Sequence, residues 1–428
     1  MVNTTIMKKL IIENGPPLSG FVRVSGSKNA ALPIMAASLA ASGQIKIQNV
    51  PQLSDIFVMQ SILDNLGADT SYNKIAEEMD ILPNSALVTG SPKMELANRI
   101  RASFLVAGPL LSRFGQFKTA LPGGCAIGTR PVDLHLKGFA ALGADITLNQ
   151  GYVEARADGL RGAEIYLDYP SVGATENLIM AAVLAEGITA LGNCAMEPEV
   201  TDLCRFLITL GADISGIGTD TIIINGVKEL VGGTYRIIPD RIEAGTFMTA
   251  ACMKPGSDVT ITNTENTHLR PVIAKLREMG ANIIEPTPDS LRVYTTGRLN
   301  AVDVKTLPYP GFPTDMQAQL MALLAASTGR GVMTETVFEN RYMHAAEMTR
   351  MGAQIKIDSR TAIIDGVTPL SGASVKATDL RAGAALVIAA LGAKGTTEII
   401  DIHHLERGYS GLDEKLRELG ARVTTSVQ

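Results

Sequence analysis

Six times along the chain an apolar residue precedes Gly-Ala, a polar residue and usually a β-branched one. The copies are LGADT at Gly67, LGADI at Gly143, LGADI at Gly211, MGANI at Gly280, MGAQI at Gly352 and LGARV at Gly420. Successive glycines lie 76, 68, 69, 72 and 68 residues apart. That period exceeds the 20 to 50 residues of the common solenoids, and six copies leave room for little else in 428 residues. Each tag ends an amphipathic stretch such as AKLREMG or EKLRELG, so its glycine reads as a helix C-cap leading into a strand. One unit is therefore about 70 residues of alternating strand and helix, and the fold class is α/β.

A second feature keeps the same phase. Lys28, Arg101, Gly173, Glu243, Asp315 and Arg381 lie 39, 42, 38, 37, 37 and 39 residues before their tags. Each opens a helix rich in small residues and apolar almost all round, as in NAALPIMAASLA and AGAALVIAAL, which places those helices inside a domain. Two groups of three such helices would point their N-termini at a shared face, where free N–H groups and positive dipole ends favour an anion. A polar residue such as Ser171 or Asp315 also reads as a plain N-cap. Lysine and arginine are not caps, however, and Lys28, Arg101 and Arg381 occupy equivalent places. The period divides the chain into residues 1–27 plus 239–428 and residues 28–238. GTYRIIPD, from Gly233 to Asp240, forms one crossing, and the strand segment Lys8 to Ser27 completes the first block.

Composition closes off several classes. A 46% hydrophobic, 19% charged chain is that of an ordinary globular protein. Its longest apolar runs fall short of the roughly 18 to 20 residues of a membrane span, and the start does not read as a signal peptide, so the expected location is cytoplasmic, with no membrane partner. A net charge of −5 exerts no general pull on nucleic acid. The four cysteines, Cys125, Cys194, Cys204 and Cys252, form no CxxC pair and have no histidine at metal-ligand spacing, so no metal or other cofactor is expected. Cys194, Cys204 and Cys252 read as core. The oligomeric state is open, and a monomer fits.

Cys125 is different. It lies in LPGGCAIGTRPVDLHLKG, Leu121 to Gly138, behind Gly123 and Gly124 and ahead of Pro131. Glycines on one side and a fixed φ on the other describe a loop that delivers a thiol. His135 and the His403–His404 pair read as supporting rather than nucleophilic residues, and no Walker-type phosphate loop is present.

The segment Pro122 to Gly138 resembles the active-site loop of the UDP-N-acetylglucosamine 1-carboxyvinyltransferases, members of the enolpyruvyl transferase family that open peptidoglycan synthesis. The resemblance continues through GSKNAALPI at Gly26, RIRAS at Arg99, SVGAT at Ser171, PDRIEAGTF at Pro239, FPTDMQAQ at Phe312, TETVFENRYMH at Thr334, ATDLRA at Ala377 and ERGY at Glu406. It implies an inside-out α/β barrel, two domains of three βαβαββ-like units each, with a cleft between them. It also implies transfer of the enolpyruvyl group of phosphoenolpyruvate to the 3-hydroxyl of UDP-N-acetylglucosamine with release of phosphate, by addition and elimination.

By the same resemblance Cys125 is the general acid for the methylene carbon, and a thiol that adducts phosphoenolpyruvate or fosfomycin, while Asp315 takes the hydroxyl proton. Lys28, Asn29, Arg130, Arg341, Arg381 and Arg407 form the implied phosphoenolpyruvate set, since cations and guanidinium forks suit its phosphate and carboxylate. The implied nucleotide-sugar set is Arg101, Arg130, Pro131, Val132, Asp133, Leu134, Ser171, Val172, Gly173, Asp315 and Val337. The shikimate-pathway enolpyruvyl transferase, which lacks the PGGC loop, and a non-catalytic repeat scaffold are the competing readings.

Overall fold

The computed structural model of the chain describes residues 8–84, 92–121, 128, 131–149, 151–367 and 369–427. They fall into two compact units: residues up to Ser25, Gly128 and residues from Pro239 onward in the first, residues 26–121 and 131–238 in the second. Gly128 lies within the Leu121–Gly138 segment, which the period places in the block 28–238. It groups instead with the first, where its backbone (φ +150°) lies so close to Glu339 that a Cβ would fall 2.2 Å from Oε2.

Each tag glycine has the positive φ expected of a helix stop, from 89° at Gly352 to 105° at Gly211. In all six copies the following alanine N–H reaches back five residues to a carbonyl of the preceding helix. Ala68 donates to Leu63, Ala144 to Phe139, Ala212 to Leu207, Ala281 to Leu276, Ala353 to Met348 and Ala421 to Leu416, all at 3.0 Å except 3.1 Å for Ala353 and 2.9 Å for Ala421. This six-to-one bond closes a Schellman stop, and each alanine is buried. The small pair Gly-Ala is thus what turns each helix back into its sheet.

Among the described residues the strands form six sheets of recurring plan. In the first unit, strand Ser19–Arg23 runs parallel to Asp258–Thr262, which pairs antiparallel with the second strand of the hairpin Asn282–Thr287, Ser290–Tyr294. Val304–Lys305 with Arg330–Thr334, and Ser374–Lys376 with Thr396–Ile400, start two further sheets in the same way. The last sheet takes its third strand from the chain's start. Lys8–Glu13 lies between Thr396–Ile400 and Arg422–Val427, antiparallel to both. The stretch Lys8 to Ser27 is therefore two strands in two sheets, separated at Pro16 and Pro17, rather than one.

Beneath these sheets, three buried helices pack together in each unit. Arg241–Ala251, Gln317–Ala326 and Leu380–Gly392 form the heart of the first core, and Lys28–Ala37, Ala107–Phe114 and Val172–Ala182 that of the second. The phased residues lie in or near the first turns, none of them as the cap. The capping side chains are Ser27, Ser171, Asp240 and Asp379, one to three residues ahead of the phased position in each case. Arg101 and Asp315 lie instead in 3₁₀ turns, Arg101–Val106 and Thr314–Met316, that lead into their helices. No described helix is long and apolar enough to cross a membrane.

Candidate active site

In the first unit the turn Thr314–Met316 presents Asp315 to two guanidinium groups. Its Oδ1 accepts from Nη2 of Arg341 and its Oδ2 from Nη2 of Arg381, both at 2.7 Å. Burial opposes the charged carboxyl, but Arg381 and Arg341 outweigh it and hold the Asp315 carboxyl well below the usual carboxylate range. The N-cap reading of Asp315 fails, because this carboxylate makes no capping bond and both of its oxygens are committed to arginines.

Both arginines are buried, with only 5% and 4% of Arg341 and Arg381 exposed. Arg381 enters its helix behind Asp379, whose Oδ1 caps it by accepting from the N–H groups of Arg381 and Ala382. It also donates to the Tyr409 hydroxyl at 3.3 Å and stands over that ring at 5.7 Å. Tyr409 in turn meets the Thr246 hydroxyl at 2.9 Å and accepts from Gln319 at 3.2 Å. Arg341 donates to Thr314 Oγ1 at 2.8 Å and covers the Phe338 ring at 5.0 Å. The Nε of each arginine is buried without an acceptor. One carboxylate between two guanidinium groups leaves a positive charge over, and unsatisfied buried donors in such a cluster are a mark of function. Val337 is half-buried nearby in sequence, its N–H bonded to Glu335, and Arg407 closes the 3₁₀ turn Ile402–Arg407.

The second unit gathers the other phased cations. Lys28 is the first residue of its helix and pairs with Asp55 at 3.2 Å, while Asn29 beside it is exposed. The turn Arg101–Val106 packs between that helix and Val172–Ala182, whose first turn is capped by Ser171 through the Ala174 N–H and includes Val172 and Gly173. His135 lies under this turn. A Cβ on Gly173 would be 3.5 Å from its Cε1, and burial with the Arg101 charge drives the imidazole down to about 3. A neutral ring there is a packing and hydrogen-bonding group, held by Asn177 at 3.0 Å. Pro131 to Leu134 lead into helix Asp133–Ala141, with Val132 at its N-cap position and the carboxylate of Asp133 in the first turn, where the dipole favours it. Cys125 and Arg130 lie outside the described residues.

The remaining cysteines are all buried in the cores, and burial pushes the thiols of Cys194, Cys204 and Cys252 up to about 11, 12 and 12, which makes them poor nucleophiles. Among the described residues no group of histidine, cysteine or carboxylate side chains could hold a metal ion.

The sequence reading overlooked several supporting residues. Tyr409 was quoted in ERGY without a role. Glu335 and Thr314 stand inside quoted motifs but were passed over. The pair of buried Glu243 with half-buried Lys415, which also hold the Ser25 N–H and hydroxyl, joins residues 172 positions apart and leaves no local signal.

A family model described as EPSP synthase (3-phosphoshikimate 1-carboxyvinyltransferase) matches residues 12–416. UDP-N-acetylglucosamine 1-carboxyvinyltransferase 1 of Caldanaerobacter subterraneus subsp. tengcongensis is 55% identical over 417 residues, 97% of this chain and 99% of the relative. UDP-N-acetylglucosamine 1-carboxyvinyltransferase 2 of Clostridium tetani is 52% identical over the same shares. Among solved structures, the enolpyruvyl transferase NikO from Streptomyces tendae superposes with a TM-score of 0.88 at 28% identity, covering 99% of this chain and 100% of that one. EPSP synthase from Acinetobacter baumannii, at 19% identity and a TM-score of 0.78 over 98% and 100% of the two chains, shares the fold.

Proposed function

Since the chain belongs to the UDP-N-acetylglucosamine 1-carboxyvinyltransferases within the enolpyruvyl transferase family, we propose that its phased cations and Asp315 carry out that family's reaction. The chain transfers the enolpyruvyl group of phosphoenolpyruvate to UDP-N-acetylglucosamine, a step of peptidoglycan synthesis. Addition of the sugar 3-hydroxyl to C2 requires a proton for the methylene carbon, an acceptor for the hydroxyl proton, and positive charge for a phosphate and a carboxylate. Elimination then requires a base to take a proton back from the methyl carbon, which restores the methylene as phosphate leaves.

The observation that carries the residue assignments is the carboxylate of Asp315 between Arg341 and Arg381. Asp315 takes the hydroxyl proton as the oxygen attacks. A carboxylate with a depressed pKa is a weak base, which suits a hydroxyl that becomes acidic only during attack. Arg341 and Arg381 bind the phosphoenolpyruvate carboxylate, and Lys28, Asn29, Arg130 and Arg407 its phosphate. Arg101, Arg130 to Leu134, Ser171 to Gly173, Asp315 and Val337 hold the nucleotide sugar, with the N-terminus of helix Val172–Ala182 favouring a diphosphate. Cys125 supplies the proton to the methylene, as a thiol with an ordinary pKa near 8.5 can at neutral pH. We extend the reading to the architecture: each unit is a three-repeat inside-out α/β barrel. The supporting features are the six-fold Gly-Ala stop and the three buried helices in each unit.

The shikimate-type alternative shares the fold but is not favoured, because relatives above 50% identity over nearly the whole chain are carboxyvinyltransferases of UDP-N-acetylglucosamine. The deciding experiment measures phosphate release from phosphoenolpyruvate with either UDP-N-acetylglucosamine or shikimate 3-phosphate as acceptor. Turnover with the nucleotide sugar alone is expected. Turnover with shikimate 3-phosphate alone, or with neither, overturns the assignment.

A further inference from the structure

In four of the six sheets among the described residues, the residue that follows the second strand is repeated too. Asn49, Asn193, Asn263 and Asp401 each follow such a strand and adopt φ near +60°. Each of the three asparagines uses its Nδ2 to tie down a carbonyl of the neighbouring segment: Asn49 that of Ile237 at 3.1 Å, Asn193 that of Leu167 at 2.7 Å and Asn263 that of Val24 at 2.6 Å. After strand Arg330–Thr334 the position is taken by Glu335, without a positive φ. Its side chain is fully buried.

A buried carboxylate costs several kcal/mol unless donors satisfy it, so an acid in a structural asparagine's place calls for a reason. Here four donors converge on it. Oε1 accepts from Thr306 Oγ1 at 2.9 Å and from the N–H groups of Val337 at 2.8 Å and Phe338 at 3.2 Å. Oε2 accepts from Thr314 Oγ1 at 2.8 Å. The Thr306 bond reaches the same neighbouring segment, whose carbonyl is held here by Thr336 Oγ1 at 2.6 Å instead of by an asparagine. The bond to Thr314 is the addition, and it fixes a direction. Because the Thr314 proton is committed to Glu335, its oxygen lone pairs face Arg341 Nη1, 2.8 Å away, and Arg341 Nη2 in turn holds Asp315.

We propose that Glu335 is a positioning residue: through Thr314 it aims Arg341 at Asp315, and through its two backbone contacts it holds Val337 and Phe338 in register with them. An asparagine could not do this, since one amide oxygen cannot serve four donors and its nitrogen would present a further donor. The inference rests on the function proposed above, in which Asp315 is the base and Val337 contacts the sugar. It adds that loop and base are set by a single carboxylate, so that losing it loosens both.

The test uses Thr314→Val, Thr314→Ser and Glu335→Gln in the full chain, with kcat, KM for UDP-N-acetylglucosamine and the pH profile of kcat as readouts. The charged groups facing Asp315 are Arg341 and Arg381. Beyond them stand Asp240 and Tyr409 around Arg381, and His344 with Asp379 near Arg341. With Thr314→Val, which keeps the shape but removes the acceptor, kcat is expected to fall about tenfold to a hundredfold, with KM within about threefold of the parent. The acid limb of the profile should move to higher pH as Arg341 loosens its hold on Asp315. Thr314→Ser restores both. Glu335→Gln reproduces the kcat loss and the shifted limb and also raises KM, because the Val337 and Phe338 contacts weaken. If Glu335→Gln does not fold, Thr314→Val against Thr314→Ser decides alone. A Thr314→Val enzyme with parental kcat and an unmoved acid limb overturns the inference, whereas a parent without activity toward the nucleotide sugar overturns the function on which it rests.

Discussion

At Asp315 the two guanidinium contacts decide both the protonation state and the pH response. Its folded pKa lies below the unfolded value of about 3.9, so the ion pairs contribute stability that is fully present above pH 4 and is lost as pH falls through the folded value. Asp315→Asn keeps the size but removes both the charge and the base. It should lower kcat by roughly 10² to 10⁴ while the variant still melts cooperatively at neutral pH, and its acid unfolding should lose the contribution of this residue below pH 4. A variant turning over at the parental rate would leave Asp315 as a sugar-positioning residue. Cys125→Ser tests the acid on the other side of the reaction. A hydroxyl is far too weak an acid to replace the thiol, so turnover should vanish while calorimetry still detects nucleotide-sugar binding. Turnover within about tenfold of the parent, a barrier change near 1.4 kcal/mol, would remove Cys125 from that role. The residue types at Asp315, Arg341 and Arg381 were legible in the sequence because they sit in motifs, but their pairing was not. Asp315 at the head of a buried helix is equally a cap by local rules. Only the long-range arrival of Arg341 and Arg381, 26 and 66 positions on, commits its oxygens elsewhere.

Among the elements, the helix stops were the most legible feature, because a Schellman turn needs glycine at one place and the tag repeats it six times. Helix starts were less so. The phased positions mark the first turn but not the cap, since Ser27, Ser171, Asp240 and Asp379 do the capping from slightly upstream, and a charged residue one turn in is as periodic as the cap itself. The Asn49, Asn193 and Asn263 ties went unread for a different reason: their partners are carbonyls just past the ends of strands, 26 to 239 residues away. The stop can be tested in isolation. At Gly352 φ is +89° and nothing lies within 4 Å of where a Cβ would stand, so Gly352→Ala introduces backbone strain without a clash. Urea denaturation should register a loss of about 1 to 2 kcal/mol. Gly297→Ala, equally open but without a positive φ, should stay within about 0.5 kcal/mol of the parent. Equal effects at the two sites would show that the left-handed turn is not what makes the tag glycine necessary.

For the molecule as a whole the telling element is the first strand. Among the described residues three of the six sheets take one strand from a distant part of the chain, and the sheet at residues 374–427 reaches furthest, to Lys8–Glu13. The sequence placed this stretch with the later block but made it one continuous strand, because pairing with both Thr396–Ile400 and Arg422–Val427 is set by contacts about 400 residues apart. Leu10 and Ile12 are buried in the first unit's core, and burial of two such side chains contributes about 3 to 6 kcal/mol, comparable with the whole stability of a domain. Deleting residues 1–13 should therefore open the first unit and spare the second. The core thiols report which unit has opened, since Cys252 is buried in the first unit and Cys194 and Cys204 in the second. In the deletion variant a thiol reagent should label Cys252 rapidly while Cys194 and Cys204 stay protected, with labelled peptides read by mass spectrometry. Lys8 is paired with Val427 in the ladder, so the removed strand can be returned on the other side of that pair, appended after the C-terminus through a short turn containing Asn-Gly. That rearranged chain should again protect Cys252. Protection of Cys252 in the deletion variant itself, together with a parental melting curve, would mean that the four-stranded sheet is dispensable and that the hydrophobic core alone holds the unit together.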